Sequence, residues 1–254
     1  MMPAPEVTDP PLAGAPRVAV VTGARGNLGA ACARALLEDG YRVAAVDLFP
    51  PPAPGDHPPQ LAWFRADVTV SADVTRSREQ IAERWGPVAI LVNAAGVARA
   101  SRFAQISLDE WRHVLDVSLT GSFLMTQAFL PDMRAAGFGR VINFSSTAGK
   151  NVSTLAGVHY TTAKAGVLGL TRALAKELGP SGITVNAVCP GLFETEMARS
   201  LAGDLDLDAY AGSLPVPRLG QPWEVAALVS YLASDRAGYV TGAALDINGG
   251  ELMT

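Results

Sequence analysis

Short, almost uninterrupted apolar runs recur along the chain at 17–21, 42–46, 61–66, 88–92, 140–144, 183–188 and 243–247. Runs of this length, bounded by glycine, proline, asparagine or aspartate, read as strands buried on both faces. Between them lie stretches whose apolar positions repeat at three and four residues, at 27–39, 72–85, 108–134, 158–178 and 223–233. That period is helical. Strand and helix therefore alternate, which predicts an α/β fold with a doubly wound parallel sheet of about seven strands and helices on both faces. The connection 48–59 is rich in proline and is expected to be an extended surface loop.

The 254 residues, 49% hydrophobic and 17% charged, suit one domain over 17–254. Residues 1–16, rich in proline and alanine without a basic start or an apolar stretch, are expected to be a disordered leader and not a signal peptide. The net charge of -4 and the lack of a lysine/arginine block argue against nucleic acid as a partner. No window approaches the length of a membrane span. Cys32 and Cys189 sit in apolar contexts, as reduced core residues of a cytoplasmic protein would. His57, His113 and His159 show no ligand spacing, so no metal site is expected.

Composition says nothing of chemistry; two motifs do. Tyr160 and Lys164 are four residues apart, on one helix face, and Ser146 precedes them by fourteen. An ammonium beside a phenol favours the phenolate. Lowering a tyrosine pKa by roughly three units takes about 4 kcal/mol. One lysine in water does not supply that; a lysine together with an oxidised nicotinamide in a shielded site does. The second motif is Thr22-Gly-Ala-Arg-Gly-Asn-Leu-Gly29, between a strand and a helix. Its Gly23, Gly26 and Gly29 let backbone N–H groups approach a pyrophosphate at a helix N-terminus, as in Rossmann-type domains. Asp47 closes the second strand, where a carboxylate accepts the ribose hydroxyls and repels a 2′-phosphate. This favours NAD over NADP. Arg25 pulls the other way, and Asp47 is weighted more heavily.

With Asp67-Val68, Asn93-Ala94-Ala-Gly96, Asn186, Pro190-Gly191 and Asn248-Gly-Gly250, these residues resemble, in order, the short-chain dehydrogenase/reductase family in its compact form. The resemblance runs from Arg17 to Gly250. It implies that Ser146, Tyr160 and Lys164 are catalytic, Tyr160 exchanging a proton with the substrate oxygen, Ser146 orienting that oxygen, and Lys164 binding the nicotinamide ribose. It further implies cofactor contacts from Gly23, Arg25, Asn27, Leu28, Gly29, Asp47, Asp67, Val68, Asn93, Ala94, Gly96, Pro190, Gly191, Phe193 and Thr195. Of these, Asp67 and Val68 would hold the adenine, Asn93 would border the adenosine side, and Thr195 would contact the carboxamide.

Three positions depart from the family pattern. Asn27 replaces the second loop glycine and is expected to tolerate a left-handed backbone there. Ser118 takes the place of the family's catalytic asparagine, keeping its carbonyl but shortening the side chain. Phe193 replaces a small aliphatic residue and is expected to narrow the nicotinamide end.

Residues 192–221 occupy the position of the family's substrate lid, with Phe193, Met197, Leu201, Leu205, Leu207, Tyr210 and Leu214 as its apolar cover. Leu155, Val158 and Arg99 are candidates for the pocket wall, and Arg99 and Lys150 are the positive charges placed near the mouth. Asp204, Asp206 and Asp208 read as a solvated face. The implied activity is an NAD(H)-dependent interconversion of a secondary alcohol and a ketone. Reduction of a 3-oxoacyl group and a dihydrodiol dehydrogenase activity are alternatives within the family. A cofactor-binding sensor, or an epimerase or dehydratase without net redox turnover, is the competing class. The small residues Ala163, Gly166, Gly169 and Ala173 would admit a neighbouring helix, and the family resemblance implies a homotetramer.

Overall fold

The computed structural model describes residues 16–49 and 57–254. The leader, apart from its last residue, and the middle of the proline-rich connection lie outside the described residues. Seven strands form one sheet: β1 Val18–Thr22, β2 Arg42–Asp47, β3 Leu61–Arg65, β4 Val88–Asn93, β5 Gly139–Phe144, β6 Ile183–Pro190 and β7 Ala244–Ile247. Their order is β3-β2-β1-β4-β5-β6-β7, and every neighbouring pair is parallel. The helices are α1 Asn27–Glu38, α2 Ser71–Trp85, α3 Leu108–Leu115, α4 Gly121–Ala136, α5 Val158–Leu178, α6 Glu196–Leu201, α7 Leu207–Gly212 and α8 Pro222–Ala233.

Alternation along β1 shows why the runs are apolar throughout. Ala19 and Val21 join one core with Cys32 and Leu36 of α1 and Val225 and Val229 of α8. Val18 and Val20 join the other with Val74 and Ile81 of α2, Met125 and Phe129 of α4, and Leu178 of α5. Both faces are covered, so neither parity tolerates a polar side chain. β1 pairs with β2 on one side and β4 on the other. The chain thus leaves β1 and β4 in opposite directions, opening a crevice at their carboxyl ends, where open α/β sheets bind ligands.

Two expectations need correction. The single helix expected over 108–134 is α3 and α4 joined by a π-helical turn, Asp116–Thr120. Gly121 ends that turn against Val68, whose Cγ2 would lie 2.7 Å from a Cβ there. A π-turn inserts one residue, turns Ser118 inward, and is a feature concentrated at functional sites. The small-residue face of α5 is also partly used within the chain. Ala163 is buried, and a Cβ on Gly166 would meet Leu119 at 2.7 Å; Gly169 and Ala173 stay open outward.

Candidate active site

The β1–α1 loop is shaped by two glycines. Gly23 has φ +62°, and a Cβ on it would lie 2.9 Å from Ala95 Cα. A methyl on Gly29 would overlap the Gly23 carbonyl. Helix α1 opens at Gly26 with no side-chain cap and no acidic residue in its first turn. Its leading N–H groups and the positive end of the dipole are therefore open to an anion, and the pyrophosphate of a dinucleotide fits this cradle. Thr22 ties the loop to the segment that follows β4, its hydroxyl accepting the Ala95 N–H at 3.0 Å. Leu28 and Ala94 pack at the edge of the core below.

Asp47 sits at the end of β2, as expected. Its two oxygens accept the backbone N–H groups of Arg25, 3.0 Å, and Phe49, 3.1 Å. The Arg25 guanidinium lies 5.9 Å from the Phe49 ring centroid. Asn27 needs no left-handed backbone: it opens α1, and no described non-glycine residue has positive φ. Its side chain does something the sequence did not suggest. Asn27 Oδ1 accepts the N–H of Glu196 at 3.1 Å, joining the glycine loop to the first residue of α6.

Further round the crevice, Asp67 accepts the Thr69 N–H and hydroxyl at 2.9 and 2.7 Å. Val68 is buried against Gly121. Asn93 turns its side chain into the interior, donating to Asn143 Oδ1 at 2.9 Å and Thr126 at 3.2 Å. That side chain knots β4 to β5 and α4. Asn186 is likewise interior, bonded to the Val240 carbonyl and the Ala243 N–H.

The Ser146, Tyr160 and Lys164 side chains converge at the carboxyl ends of β5 and β6. Ser146 is extended, accepts the Ala148 N–H at 3.1 Å and donates to the Pro190 carbonyl at 3.4 Å. Lys164 is buried, its Nζ donating to the Phe144 carbonyl at 2.7 Å and lying 5.6 Å from the Tyr160 ring centroid. Burial lowers its pKa to about 8. Burial also raises the Tyr160 phenol above its ordinary value, against a smaller lowering from its hydrogen bond with Ser146. The protein alone thus keeps both groups poised toward neutrality; desolvation outweighs the pairing expected from their spacing. The Ser118 hydroxyl accepts the Val97 N–H at 3.3 Å. A Cβ on Gly96 would lie 3.4 Å from Lys164 Nζ and 3.6 Å from Ser118 Oγ, so this glycine keeps the space between ammonium and hydroxyl open.

Sequence reasoning missed His159 and Glu110. His159 is fully buried; one ring nitrogen lies 2.9 Å from Glu110 Oε1, and the other accepts the Tyr160 N–H at 2.9 Å. A Ser101 hydrogen bond, then that of His159, holds Glu110 below the usual carboxylate range. A buried histidine donating to a carboxylate has its tautomer fixed, leaving Nδ1 to accept. The first turn of α5, and with it Tyr160, is pinned from α3.

On the substrate side, several expectations change. The Phe193 ring is buried against Gly220, whose missing side chain makes room for it, so the ring packs in the core and does not stand free in the crevice. Thr195 caps α6 by accepting the Ala198 N–H at 3.1 Å. Leu207 points inward, while Met197 and Leu205 are exposed. The acidic run is exposed, as expected of a solvated face; within it Asp206 caps α7, and Asp208 pairs with Arg199 at 3.0 Å. Lys150 pairs with Asp246 at 2.6 Å and donates to the Ala244 carbonyl at 2.9 Å. Among the described residues no group of metal-ligating side chains forms and no helix is long and apolar enough to cross a membrane.

Known proteins are similar to this chain in sequence and fold. A family model described as enoyl-(acyl carrier protein) reductase matches residues 23–251. Acetoacetyl-CoA reductase of Shinella zoogloeoides is 39% identical over 239 residues, 93% of this chain and 99% of that protein. Nodulation protein G of Azospirillum brasilense is 43% identical over 242 residues, 92% and 97% of the two. The solved structure of the Thermoplasma acidophilum aldohexose dehydrogenase superposes with a TM-score of 0.85 at 29% identity, covering 94% of this chain and 97% of that one. Fold, ordered motifs and these matches agree: the chain belongs to the short-chain dehydrogenase/reductase family, as an oxidoreductase.

Proposed function

We propose that this protein is an NAD(H)-dependent oxidoreductase that interconverts a secondary alcohol and a ketone, with Ser146, Tyr160, Lys164 and Ser118 as its proton machinery. The observation that carries this reading is a buried lysine and a Ser146-bonded tyrosine beside an uncapped helix N-terminus at the switch point of the sheet. The backbone of Gly23–Gly29 would hold the pyrophosphate, Asp47 the adenosine ribose, Asp67, Val68 and Ala94 the adenine side, and Lys164, Gly191 and Thr195 the nicotinamide side. Bound there, a nicotinamide supplies the hydride acceptor or donor.

The chain's own groups then have defined tasks. Ser146 and Tyr160 grip the substrate oxygen with two hydroxyls, fixing the reacting carbon. Tyr160 takes the alcohol proton during oxidation and returns one to the oxygen during reduction. Lys164, depressed to about 8 by burial, passes a proton at pH values where a solvated lysine stays charged. Ser118 offers the hydroxyl next to it in the relay. Asp47 favours NAD(H), because its carboxylate repels a 2′-phosphate.

A second reading, reduction of a 3-oxoacyl thioester, is favoured by the printed names of the relatives. A homotetramer is also proposed, with the outward Gly169 and Ala173 of α5 as the close-approach surface.

Fluorescence titration with NADH and NADPH, followed by turnover of wild type and Tyr160→Phe, tests the proposal. Preference for NADH with turnover lost in Tyr160→Phe and binding retained is the expected result. Preference for NADPH assigns Arg25 the adenosine side and moves 3-oxoacyl reduction ahead. Unchanged turnover in Tyr160→Phe refutes the mechanism.

A further inference from the structure

Glu251, three residues from the end of the chain, lies where three segments of the cleft meet. Its Oε1 accepts the Tyr210 hydroxyl of α7 at 3.1 Å and faces the Thr154 hydroxyl at 3.4 Å. Thr154 belongs to the segment between Ser146 and α5, and Tyr210 to the lid. Oε2 lies beside Gly191, 2.5 Å from where a Cβ on that glycine would sit. Gly191 directly follows Pro190, whose carbonyl accepts the Ser146 hydroxyl.

Oε2 is buried and has no hydrogen-bond partner among the described residues. A buried carboxylate oxygen without a donor is strongly unfavourable, so the arrangement calls for one. The protein side offers none. Lys150 is held by Asp246 and the Ala244 carbonyl, and Arg99 donates to the Ala98 carbonyl. No described lysine or arginine pairs with Glu251. Tyr210 of the lid and Thr154 meet Oε1, and Oε2 lies on the Gly191 side, toward the segment that accepts the Ser146 hydroxyl.

We infer that Glu251 is a specificity-determining residue that accepts a second hydroxyl of the substrate, so that the protein acts on neutral diols or polyols. This rests on the proposed oxidoreductase activity and names its substrate class. An uncompensated carboxylate repels an anionic group there, and an apolar acyl chain would leave it unpaired. Both weigh against the thioester reading.

The test compares matched alcohols with NAD: cis- and trans-cyclohexane-1,2-diol against cyclohexanol, butane-2,3-diol against butan-2-ol, and a 3-hydroxybutyryl thioester. Wild type is expected to favour a diol over its mono-alcohol by roughly 10- to 100-fold in kcat/KM. Glu251→Leu should collapse that ratio toward one, and Glu251→Gln, which keeps an acceptor, should restore part of it. Tyr210→Phe removes the lid contact on Oε1 and should leave the ratio in place. A thermal melt of each variant shows whether the fold survives. The inference is overturned if Glu251→Leu lowers diol and mono-alcohol turnover in equal proportion, because the carboxylate is then only a lid latch. It is also overturned if wild type shows no diol preference or uses the thioester alone. If no alcohol or thioester is turned over, the oxidoreductase reading itself fails, an outcome separate from a lost diol preference.

Discussion

Replacing Lys164 by methionine should stabilise the folded protein while abolishing its chemistry. Lys164 is buried, no carboxylate pairs with it among the described residues, and its only hydrogen bond is to the Phe144 carbonyl at 2.7 Å. The fall of its pKa from 10.5 to about 8 corresponds to about 3 kcal/mol of destabilisation at neutral pH. Methionine has a similar unbranched reach and no charge to desolvate. Leaving the Phe144 carbonyl without its donor costs about 1 kcal/mol, so Lys164→Met should gain about 2 kcal/mol. In a chain of this size that is roughly 4–8 °C in Tm. The sign in pH follows from the same shift. The folded pKa is below the unfolded one, so the unfolded chain holds more protons between about pH 8 and 10.5, and wild-type stability rises with pH across that window. The advantage of Lys164→Met should be constant below about pH 8, then shrink, pass through zero and become a deficit of about 1 kcal/mol toward pH 10.5, where only the lost Phe144 hydrogen bond remains. Denaturant melts of both proteins at several pH values decide it. A variant less stable than wild type at pH 7, or a difference that does not vary with pH, refutes the reasoning.

Other perturbations follow from particular contacts. Gly29→Ala places a methyl on the Gly23 carbonyl, and with neither backbone free to yield it should cost about 3 kcal/mol and abolish NADH binding, read by melt and titration. His159→Phe removes both ring hydrogen bonds; kcat should fall roughly 10- to 100-fold while NADH affinity stays close to wild type, because Tyr160 loses its orientation and the glycine loop is untouched. A parallel loss of NADH binding would contradict a positioning role. Asn27→Gly should speed amide exchange over 194–201 without altering the sheet, since the Glu196 N–H loses its acceptor. Unaltered exchange there would show that the Thr195 cap alone holds α6.

Much of the fold was readable in advance, and with it the elements that carry the candidate residues. Strand 88–92 became β4 with one residue added, and 158–178 is helical over its whole predicted span. The glycine loop, Asp47 and the Tyr160/Lys164 spacing lie on the elements expected for them. What local pattern leaves open is side-chain direction. Phe193 turns into the core and Asn93 into the interior. A residue's type does not reveal which neighbour has left room for it, and Gly220 is what decides for Phe193.

The division has a physical cause. Periodicity and loop chemistry depend on residues two to four apart, so the sequence by itself determined the parallel α/β order, the dinucleotide-type loop and the helix that presents Tyr160 with Lys164. Contacts closed by the fold are different. The Asn27–Glu196 bond spans 169 positions, His159–Glu110 spans 49, and Tyr210–Glu251 spans 41. Even the direction of the Tyr160 pKa was set by burial, a property of the packed crevice. Which polar groups are desolvated, and by what they are met, only the tertiary structure decided, because desolvation is a consequence of closure and not of local sequence.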